Sequence, residues 1–175
     1  MTDRVPVLLL SGSMGAGKTT VMGEISDLLI EADVSHACVD FDGLSLIHPH
    51  DPADPHGFAL AFRNLKSIWA NYCTAGIERL VIAAVIESRA ELAHYEEAVP
   101  RAEIVLCRLV APIATMHDRL RSRDPGIYLP RFLARSTELE GILAAGRIED
   151  FTVDNGPGRH VTDVARDVLQ RAGWL

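Results

Sequence analysis

The sequence has few cysteines and no long apolar run. Its three cysteines, Cys38, Cys73 and Cys107, lie far apart, and none forms the C-x-x-C spacing of a zinc or redox site. Because Cys38 and Cys107 fall inside apolar runs, we expect reduced, buried thiols. No apolar run approaches the ~20 residues that cross a bilayer. The first residues also lack the apolar segment and cleavage site of a secretory leader. We therefore expect a cytoplasmic protein with no membrane partner.

An excess of positive charge is also missing. The 175 residues include 17 Lys and Arg against 24 Asp and Glu, which gives a formal net charge of -7. Proteins that bind the nucleic-acid backbone usually carry the opposite balance, so we expect no nucleic-acid partner. Only two of the basic residues are lysines, Lys18 and Lys66, and Lys18 lies inside the strongest motif of the chain.

Apolar runs alternate along the chain with segments of helical period. Strands are predicted at residues 5–10, 34–39, 80–86, 104–110 and 150–153, and helices at residues 18–32, 58–75, 90–98, 112–123, 130–145 and 161–172. This alternation is typical of βαβ units around a parallel sheet. We find no internal repeat, low-complexity tract or linker. Residues 1–175 are therefore predicted to form one α/β domain, a three-layer α/β/α sandwich with about five parallel strands.

One motif indicates phosphate binding. Residues 12–19 match G-x-x-x-x-G-K-[ST] and read Gly12-Ser13-Met14-Gly15-Ala16-Gly17-Lys18-Thr19. Glycines let the backbone turn tightly and bring its N–H groups close to phosphate oxygens. Lys18 is expected to reach the β- and γ-phosphates, and the Thr19 hydroxyl to ligate Mg²⁺. The match follows a predicted strand and opens a predicted helix, as the motif requires, so this loop through Thr20 is predicted to bind ATP or GTP.

Two shorter motifs follow. Asp40-x-Asp42 ends the second predicted strand, and ligands of parallel sheets bind beyond the carboxyl ends of strands. Residues two apart on a strand face the same way, so both carboxylates can point into one site. Turn formation and helix capping are the alternative roles.

Arg119, Arg121 and Arg123 close the fourth predicted helix. Arg119 and Arg123 share one helix face and are the candidates for phosphate contact, whereas pairing with surface acids is the alternative.

With these motifs the chain resembles the P-loop small-molecule kinases, which include shikimate, gluconate, adenylylsulfate and chloramphenicol kinases. The resemblance implies a P-loop NTPase domain with strand order 2-3-1-4-5 and transfer of the γ-phosphoryl group of ATP, with Mg²⁺, to a hydroxyl of a small-molecule acceptor. It implies one role for each aspartate. We favour Asp42 as the base, which also contacts the substrate, and Asp40 as the metal-side partner, with the reverse assignment open. Residues 119–135 correspond to a lid whose arginines, Arg119 and Arg123, stabilise transition-state charge.

Residues 43–75 are predicted to form the substrate cap. Arg63, on the second predicted helix, is the candidate substrate contact there. The loop histidines His48, His50 and His56 do not match a zinc spacing. The acceptor is open among sugars, nucleosides, antibiotics and small acids.

The third predicted strand ends at Ile86-Glu87 without the aspartate of a standard Walker B motif, which weakens motor-ATPase and GTPase interpretations. Glu87 is a candidate substitute. A nucleoside-monophosphate kinase should carry more cap arginines than Arg63, and a polynucleotide kinase is disfavoured by the net charge of -7. A nucleotide-dependent regulatory module that hydrolyses ATP slowly is the alternative from another class.

Overall fold

The computed structural model describes residues 4–123 and 126–175. The strands are β1 (Val5–Ser11), β2 (Ala37–Asp40), β3 (Leu80–Ala83), β4 (Ala102–Val110) and β5 (Phe151–Asp154). The α-helices are α1 (Lys18–Glu31), α2 (Phe58–Thr74), α3 (Leu92–Ala98), α4 (Ile113–Arg123), α5 (Leu129–Gly146) and α6 (Val161–Arg171). Short 3₁₀ helices cover Phe41–Ser45 and Arg89–Glu91.

The strands form one parallel sheet in the order β2-β3-β1-β4-β5. This confirms the predicted fold class and the 2-3-1-4-5 order. The central strand β1 pairs with β3 on one side and β4 on the other, with Leu10 opposite Ala83 and Cys107. A strand with neighbours on both edges and helices on both faces must be apolar throughout. Val7 to Leu10 are accordingly at most 1% exposed.

Each face of the sheet has its own apolar core. Leu8 and Leu10 point to one face, where α1 and α6 cover the sheet. Val7 and Leu9 point to the opposite face, where α2 and α3 pack. Alternation of side chains along β1 therefore divides the core into two halves and produces the three-layer sandwich.

Three expectations from the sequence need correction. β2 begins at Ala37 rather than Val34, because the Val34 N–H donates to the Leu29 carbonyl and closes the end of α1. β3 ends at Ala83 rather than Ile86, and the Ile86 N–H donates to the Ser11 hydroxyl instead of a strand neighbour. Cys38 is only partly buried, so of the two cysteines in apolar runs only Cys107 is fully buried, and Cys73 is exposed on α2.

In the described parts of the chain, no helix is both long and apolar enough to cross a bilayer. The same residues contain no group of three or more His, Cys, Asp or Glu side chains placed to hold a metal ion.

Candidate active site

The loop between β1 and α1 wraps tightly and cannot accept larger residues at its glycines. Gly15 and Gly17 have φ values of 83° and 94°, which L-residues with side chains rarely adopt. A Cβ on Gly15 would lie 2.4 Å from the Met116 carbonyl oxygen, and one on Gly17 would lie 2.5 Å from Nδ2 of Asn155. The glycines of the motif are therefore required both by backbone angle and by close neighbours.

Side chains hold the carbonyl groups of the loop. Nζ of Lys18 donates to the Gly12 and Ser13 carbonyls at 2.9 and 3.2 Å. The Ser136 hydroxyl, on α5, donates to the Met14 carbonyl at 2.8 Å. The Ala16 carbonyl accepts from Nδ2 of Asn155, again at 2.8 Å.

Arg119 of α4 adds bonds to the same loop. Its Nη1 lies 3.3 and 3.4 Å from the Gly15 and Ala16 carbonyls, and its Nη2 donates to the Asn155 carbonyl at 2.8 Å. With these bonds, every carbonyl from Gly12 to Ala16 accepts from a side chain. The backbone of the loop is held from outside before any ligand binds.

Ser136 and Asn155 are the members of this network that the sequence motifs missed. Both are buried, and the Ser13 hydroxyl in turn donates to the Ser136 carbonyl at 2.7 Å. A serine in the middle of a helix and an asparagine in a glycine-proline turn carry no motif. The sequence shows them only as polar residues, and their burial becomes apparent in the structure.

Lys18 shares the cleft at the carboxyl end of the sheet with the carboxylates of Asp40 and Asp42. Burial desolvates its ammonium group and lowers its pKa, an effect that Asp42 and Asp40 oppose and Arg123 reinforces. Loss of solvent around the ammonium makes a phosphate group a favourable partner for it.

Asp40 and Asp42 take different positions at this edge. Oδ2 of Asp40 accepts a hydrogen bond from the Thr19 hydroxyl at 2.8 Å. Asp42 follows in the 3₁₀ helix Phe41–Ser45 and lines the open cleft. Desolvation by the surrounding protein raises the pKa of Asp42; Lys18 opposes this rise, Asp40 adds to it and Arg123 opposes it. The two carboxylates thus share one site, but only Asp40 bonds to the loop threonine.

The arginines at the end of α4 lie on two different faces of the helix, as their spacing predicts. Arg119 and Arg123 line the cleft, whereas Arg121 pairs with Asp118 at 2.8 Å. Residues 124 and 125, in the middle of the predicted lid, lie outside the described residues.

These groups surround a cleft of about 1080 Å³. One wall carries Lys18, Thr19, Asp40 and Asp42, and Leu46 lies at its rim. Arg63 is not part of this cleft. It lines a second groove, between α2 and α3, together with Glu87. The structure therefore brings together the predicted P-loop, aspartates and arginines, and places Arg63 in a neighbouring cavity.

The residues present fit a nucleotide and a magnesium ion. The glycine positions leave no room for side chains, as a close backbone cradle for phosphate requires. Thr19 and Asp40 offer a hydroxyl and a carboxylate oxygen, the ligand types that Mg²⁺ prefers. Lys18 supplies a cation beside them.

No protein-family model and no curated protein sequence matches this chain. Solved structures do match it over nearly the whole length. The tunicamycin resistance protein of Deinococcus radiodurans aligns with a TM-score of 0.66 at 16% identity, covering 98% of both chains. Shikimate kinase of Acinetobacter baumannii, in complex with shikimate, aligns with a TM-score of 0.59 at 19% identity, covering 97% of this chain and 93% of that one.

An adenylylsulfate (APS) kinase of Mycobacterium tuberculosis, in complex with AMPPNP and APS, aligns with a TM-score of 0.55 at 18% identity, covering 95% of this chain and 96% of that one. At such identities the likeness concerns the course of the backbone, while the substrates in these names belong to those proteins. The strand order and the phosphate loop of this chain agree with that likeness of the backbone. The chain has the fold of the P-loop small-molecule kinases.

Proposed function

We propose that the protein is a cytoplasmic phosphotransferase that moves the γ-phosphoryl group of Mg·ATP to a hydroxyl group of a small-molecule acceptor. The observation that carries the proposal is the joint placement of Lys18, the Thr19–Asp40 hydrogen bond and Asp42 on one wall of the cleft. A phosphate cradle alone would serve any nucleotide-binding protein. A second carboxylate beside it, unattached to the loop threonine, adds a base for an incoming hydroxyl.

In this proposal the loop N–H groups and Lys18 bind the phosphates, and Thr19 and Asp40 hold Mg²⁺, which supplies neutralising charge. The acceptor oxygen forms a bond to the γ-phosphorus while the bond from that phosphorus to the β,γ-bridging oxygen breaks. The hydroxyl proton goes to Asp42, and ADP leaves. Arg123, at the rim, stabilises charge on the transferred group.

The raised pKa of Asp42 supports its assignment as the base rather than Asp40. A more basic carboxylate accepts the hydroxyl proton more readily, provided that it stays ionised at the working pH. Asp40 has its Oδ2 occupied by the Thr19 hydroxyl, which suits a metal-side role.

The role of Arg119 differs from that of a mobile lid residue. Its guanidinium bonds to loop carbonyls and to the Asn155 carbonyl, so we propose that it shapes the nucleotide side of the cleft. Arg123 is then the lid arginine that contacts the phosphoryl group.

The test is ADP release from Mg·ATP across a panel of sugars, nucleosides, nucleotides, antibiotics and small hydroxy acids. Wild type is run beside Lys18→Ala and Asp42→Asn, with Asp27→Asn, an exposed site on α1, as the control. We expect one acceptor class to stimulate ADP release, and we expect both cleft variants, but not the control, to lose that stimulation.

Two outcomes would replace the proposal. Stimulation only by nucleoside monophosphates would make the protein a nucleotide kinase. Tight ATP binding with slow turnover that no acceptor accelerates would favour a nucleotide-dependent regulatory module.

A further inference from the structure

The described residues form a second cavity besides the phosphate cleft. A groove of about 720 Å³ runs between α2 and α3 and reaches Glu87, just past the end of β3. Its floor and sides include the apolar residues Ala59, Phe62 and Ala98. The volume falls within the range of small-molecule sites, and the lining combines these apolar residues with charged ones.

The two walls of the groove carry opposite charge. Arg63 and Lys66 line it from α2, where their three-residue spacing puts them on one face. Glu87, Glu91 and Glu97 line it from the other side. Across the described chain, no ion pair joins the α2 cations to these three carboxylates.

Some of the acidic wall is held in place by the protein itself. Glu87 pairs with Arg135 of α5, and Oε1 of Glu91 accepts hydrogen bonds from the backbone N–H groups of Glu87 and Ser88. Glu97 and Lys66, by contrast, are exposed at the groove. Among the described residues, the groove charges outside any ion pair or backbone hydrogen bond are thus a carboxylate on α3 and the cations on α2, of which Arg63 has Asp54 as an electrostatic neighbour.

Aromatic packing connects the groove to the segment that carries the proposed base. Phe41, next to Asp42 in sequence, packs against Phe62 of the groove in a tilted arrangement with ring centroids 4.8 Å apart. The buried Tyr95 contacts both rings and has its pKa raised by burial, by Glu91 and by Asp42, so its phenol lies near a carboxylate of each cavity. Glu87 stands beyond the end of β3, the strand that pairs with β2 and its Asp40.

We propose that this groove binds the acceptor, and that the acceptor is a hydroxyl compound with an apolar body that carries both an amino cation and an anionic group. The cation faces Glu97 and Glu91, the anion faces Lys66 and Arg63, and the body covers Phe62. The hydroxyl reaches toward Asp42. This inference rests on the proposed phosphotransfer but specifies a substrate class that phosphotransfer alone does not require.

The first experiment tests occupancy of the groove by a steric change. Binding of serine, tyrosine and 3-phenylserine is measured by calorimetry with the full-length wild type, with Ala59→Trp and with Ala70→Trp. Both alanines are exposed on α2, but Ala59 lines the groove, whereas Ala70 lies three turns further along the helix and does not line it. We expect Ala59→Trp to weaken binding of the best of these compounds about tenfold or more, as overpacking does, and Ala70→Trp to leave it unchanged.

The second experiment tests charge recognition. The N-acetyl derivative of the best compound lacks the cation, and its methyl ester lacks the anion. We expect each to bind about tenfold more weakly, because each leaves charged groups of the groove without a partner. Glu97→Gln should weaken the free amino acid but not the N-acetyl compound, and Lys66→Gln should weaken it but not the ester. Glu96→Gln, at an exposed neighbouring position, is the control.

Failure of the inference is distinguishable from failure of the proposed function. If no free amino-hydroxy acid binds, or if Ala59→Trp and Ala70→Trp behave alike, the groove is not this acceptor site, even when another hydroxyl compound is phosphorylated. If the compounds bind in the groove with the expected charge dependence but ADP release does not rise, the site assignment stands and phosphotransfer is wrong.

Discussion

The two sides of the active-site region are built in different ways. On the nucleotide side, side chains from α1, α4, α5 and the turn after β5 bond to every carbonyl from Gly12 to Ala16. By contrast, the segment after the 3₁₀ helix leaves Leu46 88% exposed and Ile47 45% exposed. The phosphate loop is therefore held in place by its own protein, whereas the segment after the 3₁₀ helix exposes apolar side chains. Under the proposed function, the fixed loop would bind the nucleotide and the exposed segment would contribute to acceptor specificity.

The largest effect is expected for Asp42→Asn, which removes the proposed base and leaves the residues of the phosphate loop unchanged. We expect kcat to fall by about 10²–10⁴-fold, the usual contribution of a general base, with ATP affinity nearly unchanged. Steady-state kinetics and nucleotide titration separate the two quantities. A kcat close to wild type would remove Asp42 from the base role and reopen the assignment to Asp40.

The same variant carries a pH signature. The folded-state pKa of Asp42 is raised, so its ionised form is less favourable in the folded than in the unfolded protein. Asp42→Asn should therefore raise Tm at neutral pH, and the gain should shrink as the pH falls through the raised pKa. Wild-type kcat should decline on acidification at a higher pH than an ordinary carboxylate would give. Thermal melts of Asp27→Asn across the same pH range provide the baseline.

Two glycine-to-alanine substitutions, one in the loop before α1 and one within α1, compare the enclosed loop with the exposed surface of a helix. Gly15→Ala combines a positive φ with a Cβ 2.4 Å from the Met116 carbonyl oxygen, so we expect a loss of more than about 2 kcal/mol in unfolding free energy and weakened ATP binding. Gly23→Ala, inside α1 with nothing within 4 Å, should instead stabilise the protein by about 0.5–1 kcal/mol. Urea unfolding measures both, and equal effects would mean that the loop is not tightly enclosed.

A smaller effect is expected where α5 meets the loop. Ser136→Ala removes the donor to the Met14 carbonyl and should cost about 1 kcal/mol, because it leaves a partly buried acceptor without this partner. Thr137→Ala, at the next and exposed position, should cost less than about 0.5 kcal/mol. Losses of equal size in unfolding free energy would show that the Ser136 bond does not secure the loop.

The smallest effect on stability is expected at the acceptor rim. Leu46→Ser and Ile30→Ser each replace an exposed aliphatic side chain, 88% and 66% exposed, and should change unfolding free energy by less than about 0.5 kcal/mol. Only Leu46→Ser should raise KM for the acceptor, since Leu46 borders the cleft that the acceptor hydroxyl must enter to reach Asp42 in the proposed reaction, whereas Ile30 lies on α1. A KM that does not respond would exclude the rim from acceptor binding.

Much of the fold was predictable because it depends on local patterns. Continuous apolar runs identify buried parallel strands, and the glycine-rich motif fixes the junction of β1 and α1. The strand order came from the family resemblance. The errors arose where hydrogen bonds outside the ladder decide the outcome, as with Val34, which ends α1, and Ile86, which bonds to Ser11.

The site was predictable only as far as motifs extend. The spacing of Arg119, Arg121 and Arg123 predicts which of them share a helix face, and the structure places Arg119 and Arg123 at the cleft and Arg121 against Asp118. Ser136 and Asn155 could not be found in this way, because their importance lies in contacts across more than 120 residues of sequence. The position of Arg63 also required the structure, since helical periodicity does not tell which of two adjacent cavities a side chain enters.

The two lysines of the chain lie at positions that make them useful for chemical labelling. Lys18 borders the phosphate cleft and Lys66 borders the groove between α2 and α3, and the chain has no other lysine. Acylating reagents attack unprotonated amines, and the lowered pKa of Lys18 increases that fraction. Each cavity is thus bordered by one lysine that an acylating reagent can label. Mass spectrometry of the acylated peptides would report nucleotide occupancy through Lys18 and acceptor occupancy through Lys66, in a single sample and without any engineered probe.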